Sequence, residues 1–205
     1  MKYLEYRAAG VAAALCRQVA TTATRPWVLM EVCGGQTHSI VRYGIDQTLR
    51  DAARIRAAGC PVVQINTGSG CHLDAEMLAE GLRRLDPPMH SVLMIENVGN
   101  LVCPALFDLG EHTKAVIMSV TEGEDKPLKY PVMFHKADLV LISKIDLLPY
   151  LPDISLARIV DSLRRVMPDP RYLAVSARTG QGIDEWITWL AEHHVHSTHA
   201  HPAHV

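Results

Sequence analysis

The sequence predicts an α/β protein whose mainly parallel sheet is covered by helices on both faces. Three observations carry that expectation. Short apolar runs of four to seven residues alternate along the chain with stretches of helical periodicity. Those runs are nearly continuous in Val, Ile and Leu, as strands buried on both faces are. The length, 205 residues, can bury one good core and does not call for a separate second domain.

At the N-terminus, Leu4, Ala8, Val11, Ala12, Leu15 and Val19 recur at helical spacing, which predicts an amphipathic helix ending near Thr24 to Pro26. Trp27 to Val32 then switches period and reads as a strand. Cys33-Gly34-Gly35 breaks it, and Thr37 to Tyr43 restarts as a helix with Thr37 near its cap. A helix follows over Thr48 to Ala58, then a strand over Pro61 to Ile65 and a helix over Asp74 to Leu85. Val92 to Ile95 and Ala115 to Val120 are the next apolar runs and read as strands. Leu128 to Lys136 is a helical stretch punctuated by proline, and Leu139 to Ile142 is a strand. The chain closes with helix Ser155 to Val166, strand Tyr172 to Val175 and helix Gly182 to His193. Ligands in sheets of this kind bind at the carboxyl ends of the strands.

Lysine plus arginine number 20 against 22 for aspartate plus glutamate, a net charge of −2, so neither a nucleic-acid footprint nor a polybasic membrane patch is expected. Five cysteines, an odd number without a paired framework, suit a reducing compartment, and the expected location is the cytoplasm. The apolar run Val11 to Cys16 meets Arg17 at once and is too short for a signal segment or a membrane span.

Several motifs fall where strands end. Gly68-Ser69-Gly70-Cys71-His72-Leu73-Asp74 follows a strand and opens a helix, so a soft thiolate and an imidazole share one turn. Cys103 lies beyond the next strand, in a loop that can converge with the first. Either these three hold nickel or zinc, or the cysteines are small buried hydrophobes and His72 is a helix-start hydrogen bonder. Glu96 and Gly99 end the same strand: the carboxylate either holds Mg²⁺ through water, with the glycine amide sensing a γ-phosphate, or caps the turn.

Ser143-Lys144-Ile145-Asp146 follows a later strand, where the aspartate can accept from guanine N1 and N2 and the lysine stem can stack on the ring. Ser176-Ala177-Arg178-Thr179-Gly180 follows the last strand and can brace a base through a backbone amide. Glu122, Glu124 and Asp125 read as a solvated loop. No Gly-x-x-x-x-Gly-Lys-[Ser/Thr] occurs, so that route to an amide and lysine cradle for phosphates is missing. Cys33 and His38, on a strand-to-helix turn, are either a thiol with a proton partner, metal ligands, or parts of a packed glycine turn. His193, His194, His196, His199, His201 and His204 crowd the C-terminal end and either buffer metal or form a solvated tail.

From Asp46-Gln47 onward the sequence resembles HypB, the nickel-incorporation GTPase family of [NiFe]-hydrogenase assembly. The matching stretches are Asn66 to Asp74, Ile95 to Glu111, Ser119 to Pro131 and Ser143 to Pro149. The resemblance implies a P-loop-NTPase-like G domain of the SIMIBI type over residues 46–192, with its first strand-loop-helix unit replaced and a histidine-rich, disordered tail over 193–205. It implies metal ligation by Cys71, His72 and Cys103, at what in the family is a nucleotide-dependent dimer interface. It also implies guanine binding by Ser143, Lys144, Asp146, Ser176 and Ala177.

Met30-Glu31-Val32-Cys33-Gly34-Gly35-Gln36-Thr37-His38, with Arg25-Pro26-Trp27 before it, is similar instead to the start of HypD, a family of the same pathway in which Cys33 and His38 would be functional. Residues 1–47 thus look like a HypD-like segment joined near Asp46-Gln47. Trp27 to Val32 is then the candidate for the vacated strand position. Ser143 departs from the asparagine of many GTPases.

The expected function is a hydrogenase maturation factor that binds Ni²⁺ or Zn²⁺ and passes nickel to a hydrogenase large subunit. GTP and Mg²⁺ are the implied cofactors. Other maturation proteins, a second copy or a full-length family member are the implied partners. The competing expectation is a metal-binding or interaction protein, or a recombined remnant, without GTPase activity.

Overall fold

The computed structural model describes residues 2–6, 27–32, 53, 55–57, 59–66, 73–87, 92–97, 101–102 and 105–196, by backbone alone for 2–6, 27–32, 66 and 194–196. The strands are β1 (Lys2–Tyr6), β2 (Trp27–Val32), β3 (Val62–Asn66), β4 (Val92–Glu96), β5 (Thr113–Ser119), β6 (Leu139–Ser143) and β7 (Tyr172–Val175). The helices are α1 (Ala75–Leu85), α2 (Lys126–Lys129), α3 (Pro131–His135), α4 (Leu156–Val166) and α5 (Ile183–His196). Among the described residues the strands form one sheet in the order β3-β2-β4-β1-β5-β6-β7, and every pairing is parallel.

Side chains alternate across this sheet with the period of two that strands impose, and the core divides accordingly. On one face Met94, Ala115, Ile117, Leu139, Leu141 and Val175 pack with Ile183 and Trp186 of α5. On the other, Val116, Met118, Val140 and Ile142 pack with Phe134 of α3 and Ile159 and Leu163 of α4. That second face continues through Leu93 and Ile95, which meet Leu78 and Leu85 of α1. Helices therefore cover both faces, as the apolar runs predict.

Local chemistry sets the helix limits. The Asp74 carboxylate accepts from Met77 N at 2.8 Å and caps α1, whose last turn carries Arg83 and Arg84, where the helix dipole favours cations. The helical stretch expected over Leu128 to Lys136 is two short helices. Tyr130, which leaves the helical region before Pro131 (φ −129°, ψ 52°), breaks it. At the C-terminal end α5 runs on to His196 and takes His193, His194 and His196 onto the helix.

Two N-terminal expectations are corrected. Lys2–Tyr6 is a strand, paired with β4 along its whole length and with β5 at Leu4↔Thr113 and Glu5↔Lys114. Only Leu4 of the six helically spaced residues falls in this segment. A gap between two strands satisfies its backbone groups on both sides, which outweighs one turn's worth of helical period. The rest of that expected helix lies outside the described residues, as does the one over Thr37 to Tyr43; residues 53 and 55–57 are helical as expected.

Trp27–Val32 is the second correction. It sits between β3 and β4, whereas β1 sits between β4 and β5. From β1 the chain builds β2, β3 and β4 to one side and β5, β6 and β7 to the other, so the strand order reverses at β1. Lys2–Tyr6 thus holds the switch-point place around which such sheets bind ligands. Periodicity could not rank the two strands. A parallel crossover needs about a dozen residues or more, and residues 7–26 and 33–61 both supply that length.

Candidate functional site

The polar motifs line the carboxyl edge of the sheet. At its β6 end, Ser143 closes the strand, Lys144 turns through the left-handed region (φ 61°, ψ 34°), and Asp146 falls in the first turn of the 3₁₀ segment Ile145–Tyr150. Next to it, β7 delivers Ser176, which is fully buried. The Ser176 hydroxyl donates to Asp146 Oδ1 at 2.6 Å and accepts from Thr179 N at 3.2 Å. The turn that holds Ser176 and Ala177 is closed by Gly180 N donating to Ser176 O at 2.9 Å and Ser176 N donating to Gln181 O at 2.8 Å.

Two loops separated by 30 residues are therefore joined at the carboxylate itself. One Asp146 oxygen is fixed in direction, and the carboxylate's other lone pairs can accept from paired ring N–H donors such as those of guanine. Lys144 is exposed beside it, as a stacking stem must be. Ser143 does something different. Its hydroxyl is buried and donates to Met118 O at 3.1 Å, which ties β6 to β5.

Gly182 belongs to the same corner and is absent from the set of residues expected at the site. Its φ is +73°, and a Cβ there would lie 2.1 Å from Ala174 O, so only glycine lets this turn close against β7. The run Gly180-Gln181-Gly182 is the sequence signal for it.

At the end of β5 the acidic loop is more engaged than a solvated loop would be. Glu122 accepts from Ser119 N at 2.6 Å in a capping box and pairs with Lys126 at 2.5 Å. Glu124 accepts from the Ser155 amide and from Arg158, so it caps α4 from a distant loop. Asp125 is exposed, and the hydrogen bond from Lys129 holds its carboxyl below the usual value.

The metal candidates Cys71, His72 and Cys103 lie outside the described residues, as do Gly99, Cys33, His38, His199, His201 and His204; for His194 and His196 only the backbone is described. Their flanks are well anchored. Leu73 is fully buried, and its amide donates to Asn97 Oδ1 at 3.5 Å, directly beyond β4 and Glu96. Around Cys103, Leu101 and Ala105 are buried, and Ala105 O accepts from Lys136 Nζ at 2.8 Å. Leu73 and the Leu101–Ala105 pair pack on the same sheet face.

Two thiolates and an imidazole are a donor set that fits nickel or zinc. Cys60, by contrast, is a buried core residue. Among the described residues no three His, Cys, Asp or Glu side chains converge on a common point. His193 of α5 stacks on Trp189 with ring centroids 3.9 Å apart, and its Nδ1 lies 2.7 Å from Trp189 O.

Comparison with known proteins places this geometry. Residues 29–170 match the family model for the CobW/HypB/UreG nucleotide-binding domain. The hydrogenase maturation factor HypB of Azotobacter vinelandii is 57% identical over 161 residues, which are 78% of this chain and 53% of that protein. That of Escherichia coli K12 is 54% identical over 147 residues, 72% of this chain and 50% of that protein. The chain thus spans about half the length of these curated relatives.

Among solved structures, HypB from Helicobacter pylori in complex with nickel superposes with a TM-score of 0.79 at 27% identity, covering 100% of this chain and 92% of that one. HypB from Archaeoglobus fulgidus superposes with a TM-score of 0.75 at 29% identity, covering 94% and 89%.

Proposed function

This chain belongs to the CobW/HypB/UreG nucleotide-binding family, and from that membership we propose that it is a hydrogenase maturation factor of the HypB type, binding nickel as cargo beside a guanine-nucleotide site. The observation that supports this reading is the Ser176–Asp146 hydrogen bond, which joins two strand-end loops at one carboxylate on the carboxyl edge of the sheet. Asp146 selects guanine, Lys144 stacks on it, and the Ser176–Ala177 turn braces it. Cys71, His72 and Cys103 hold Ni²⁺ or Zn²⁺. The cytoplasm suits those reduced thiols, and among the described residues no helix is long and apolar enough to cross a membrane.

The phosphate half of the site is the weak half. The strand at the switch point is followed by Arg7-Ala8-Ala9-Gly10, and neither there nor elsewhere does the sequence carry the glycine-lysine phosphate motif. Glu96, at the end of β4, and Gly99 are the groups left to approach Mg²⁺ and a γ-phosphate. Nucleotide binding is accordingly weak, and hydrolysis depends on a partner: a second copy or a full-length family member. This same feature favours the second reading, a metal-binding partner protein without turnover, in which the HypD-like segment with Cys33 and His38 serves recognition.

Calorimetry separates the two. Titration of GTP with Mg²⁺ gives heat and turnover under the first reading, whereas nickel binding with no response to nucleotide supports the second. Cys71→Ala and Cys103→Ala each abolish the tight nickel event. Deletion after Glu192 removes only weaker binding by His193, His194, His196, His199, His201 and His204. Loss of all nickel binding in the tail deletion alone would overturn the cysteine site.

A further inference from the structure

At the amino edge of the sheet, the loop that enters β5 and the turn that enters β6 are tied together. Lys114 N donates to Asp138 Oδ2 at 2.8 Å, and Asp138 N donates to Lys114 O at 2.8 Å. A cleft of about 330 Å³ opens beside this tie. Leu106 and Phe107 form its apolar wall and stand 65% and 46% exposed.

The charges of the cleft are unevenly committed. Lys114 Nζ lies 2.7 Å from Glu111 Oε1, with the two side chains only 10% and 7% exposed, and Glu111 Oε2 accepts from Leu109 N at 2.8 Å. That buried pair cancels itself. Lys136 Nζ is spent on Ala105 O at 2.8 Å. Asp108 and Asp138 are exposed, and each uses one oxygen on an amide, Asp108 Oδ1 on Gly110 N and Asp138 Oδ2 on Lys114 N. Their second oxygens face the cleft's solvent side and can accept from a cation. The two aspartates outnumber the single remaining lysine.

We propose that this cleft docks a basic-apolar segment of a partner protein, with an arginine taken up by Asp108 and Asp138 and apolar neighbours covering Leu106 and Phe107. The volume is at the low end for a small-molecule site and suits one or two side chains. A guanidinium matches carboxylate acceptors and stacks on an aromatic ring such as Phe107. A second copy meeting this face across a two-fold axis would set the same aspartates against each other, a like-charge contact that opposes self-pairing. The five residues of β6 separate the cleft from Lys144, on the order of 20 Å at ~3.3 Å per residue, so the docked segment leaves the Ser176–Asp146 corner open. The inference is independent of the metal and nucleotide readings above.

Amide NMR of the full chain tests it, with acetyl-Leu-Arg-Leu-amide as the probe. Gly110 N and Lys114 N are the reporters, because they donate to the two carboxylates that would take the arginine. Saturable shifts at both are expected. Replacing the arginine by neutral citrulline is expected to weaken binding about tenfold, the loss of one charge-assisted contact. Asp108→Asn with Asp138→Asn is expected to do the same while keeping an acceptor for each amide, so the fold is retained. Leu106→Ser with Phe107→Ser is expected to weaken binding by a similar factor.

Equal affinity of the citrulline peptide, or of the asparagine variant, overturns the proposal, as does the absence of a saturable shift at Gly110 and Lys114. Arginine amide alone binding as tightly as the peptide would make this a small-cation site and overturn the docking surface. Shifts of the same amides on concentrating the protein without peptide would give the face to a second copy, with the same consequence. None of these results bears on GTP or nickel binding, which calorimetry reads separately.

Discussion

Ser176 is a single buried hydroxyl that fixes the direction of a carboxylate on a distant loop. It donates to Asp146 and accepts from Thr179 N, so Ser176→Ala leaves one carboxylate oxygen and one amide without their partner. The expected cost is about 1–3 kcal/mol in urea denaturation. Guanine-nucleotide affinity is expected to fall about tenfold by calorimetry, because Asp146 is no longer held in one rotamer. Unchanged affinity would remove Ser176 from the positioning of the base. Gly182→Ala is expected to be more damaging, on the order of 3 kcal/mol, since its Cβ would overlap Ala174 O at a positive φ. A shift in the urea midpoint below a few tenths of that would show that the turn relaxes. Asp146 and the Ser176 loop were legible in the sequence, because both follow apolar runs that must end at one edge. What was not legible was the direction of the contact: a hydroxyl on a carboxylate, across 30 residues, leaves no local pattern.

Helix α4 shows the same limit one level up. Its amphipathic period gave a helix over Ser155 to Val166, and the observed helix starts one residue later, with Ser155 in the N-cap position. Yet Ser155 makes no side-chain cap, and Glu124 from the loop after β5 supplies the carboxylate instead, bonding the Ser155 amide and Arg158. A negative group at a helix start is favoured by both the unpaired amides and the dipole. Glu124→Ala is therefore expected to cost about 1 kcal/mol, the worth of a cap, with little added by the largely exposed Arg158. Arg158→Ala alone is expected to cost well under half of that. If the two variants lose equal stability, the ion pair rather than the cap is the stabilising contact. Helix periods and strand runs are written in neighbouring residues, so α1, α4 and β3 to β7 could be read directly. Caps supplied from elsewhere in the chain, like the split of α2 from α3 at Tyr130, depend on backbone geometry that composition does not encode.

At the scale of the whole molecule, the decisive feature is which strand stands at the switch point. Lys2–Tyr6 fills the place between β4 and β5, and without it the sheet would divide into a β3-β2-β4 half and a β5-β6-β7 half. The two halves share one face of the core, where Met94 of the first half packs in a cluster with Ala115 and Ile117 of the second. The central strand therefore matters more to cooperativity than its five residues of mainly polar and aromatic sequence would imply. Leu4 and Glu5 are the positions paired on both sides, Leu4 with Met94 and with Thr113. Leu4→Pro removes an N–H from the ladder and forces a ring into a strand with no open edge, where proline is essentially never found. The expected loss is about 3 kcal/mol or more, accompanied by two unfolding transitions in place of one: an early loss around β3, β2, β4 and α1, and a later loss around β5 to β7 with α4 and α5. Hydrogen exchange followed by mass spectrometry reads both at once, because amides of Val92–Glu96 would lose protection while those of Leu139–Ser143 keep it. If Leu4→Pro left the urea midpoint and the exchange of both strands unchanged, Lys2–Tyr6 could not be the strand that joins the halves, and the helical periodicity of the opening segment would regain its claim.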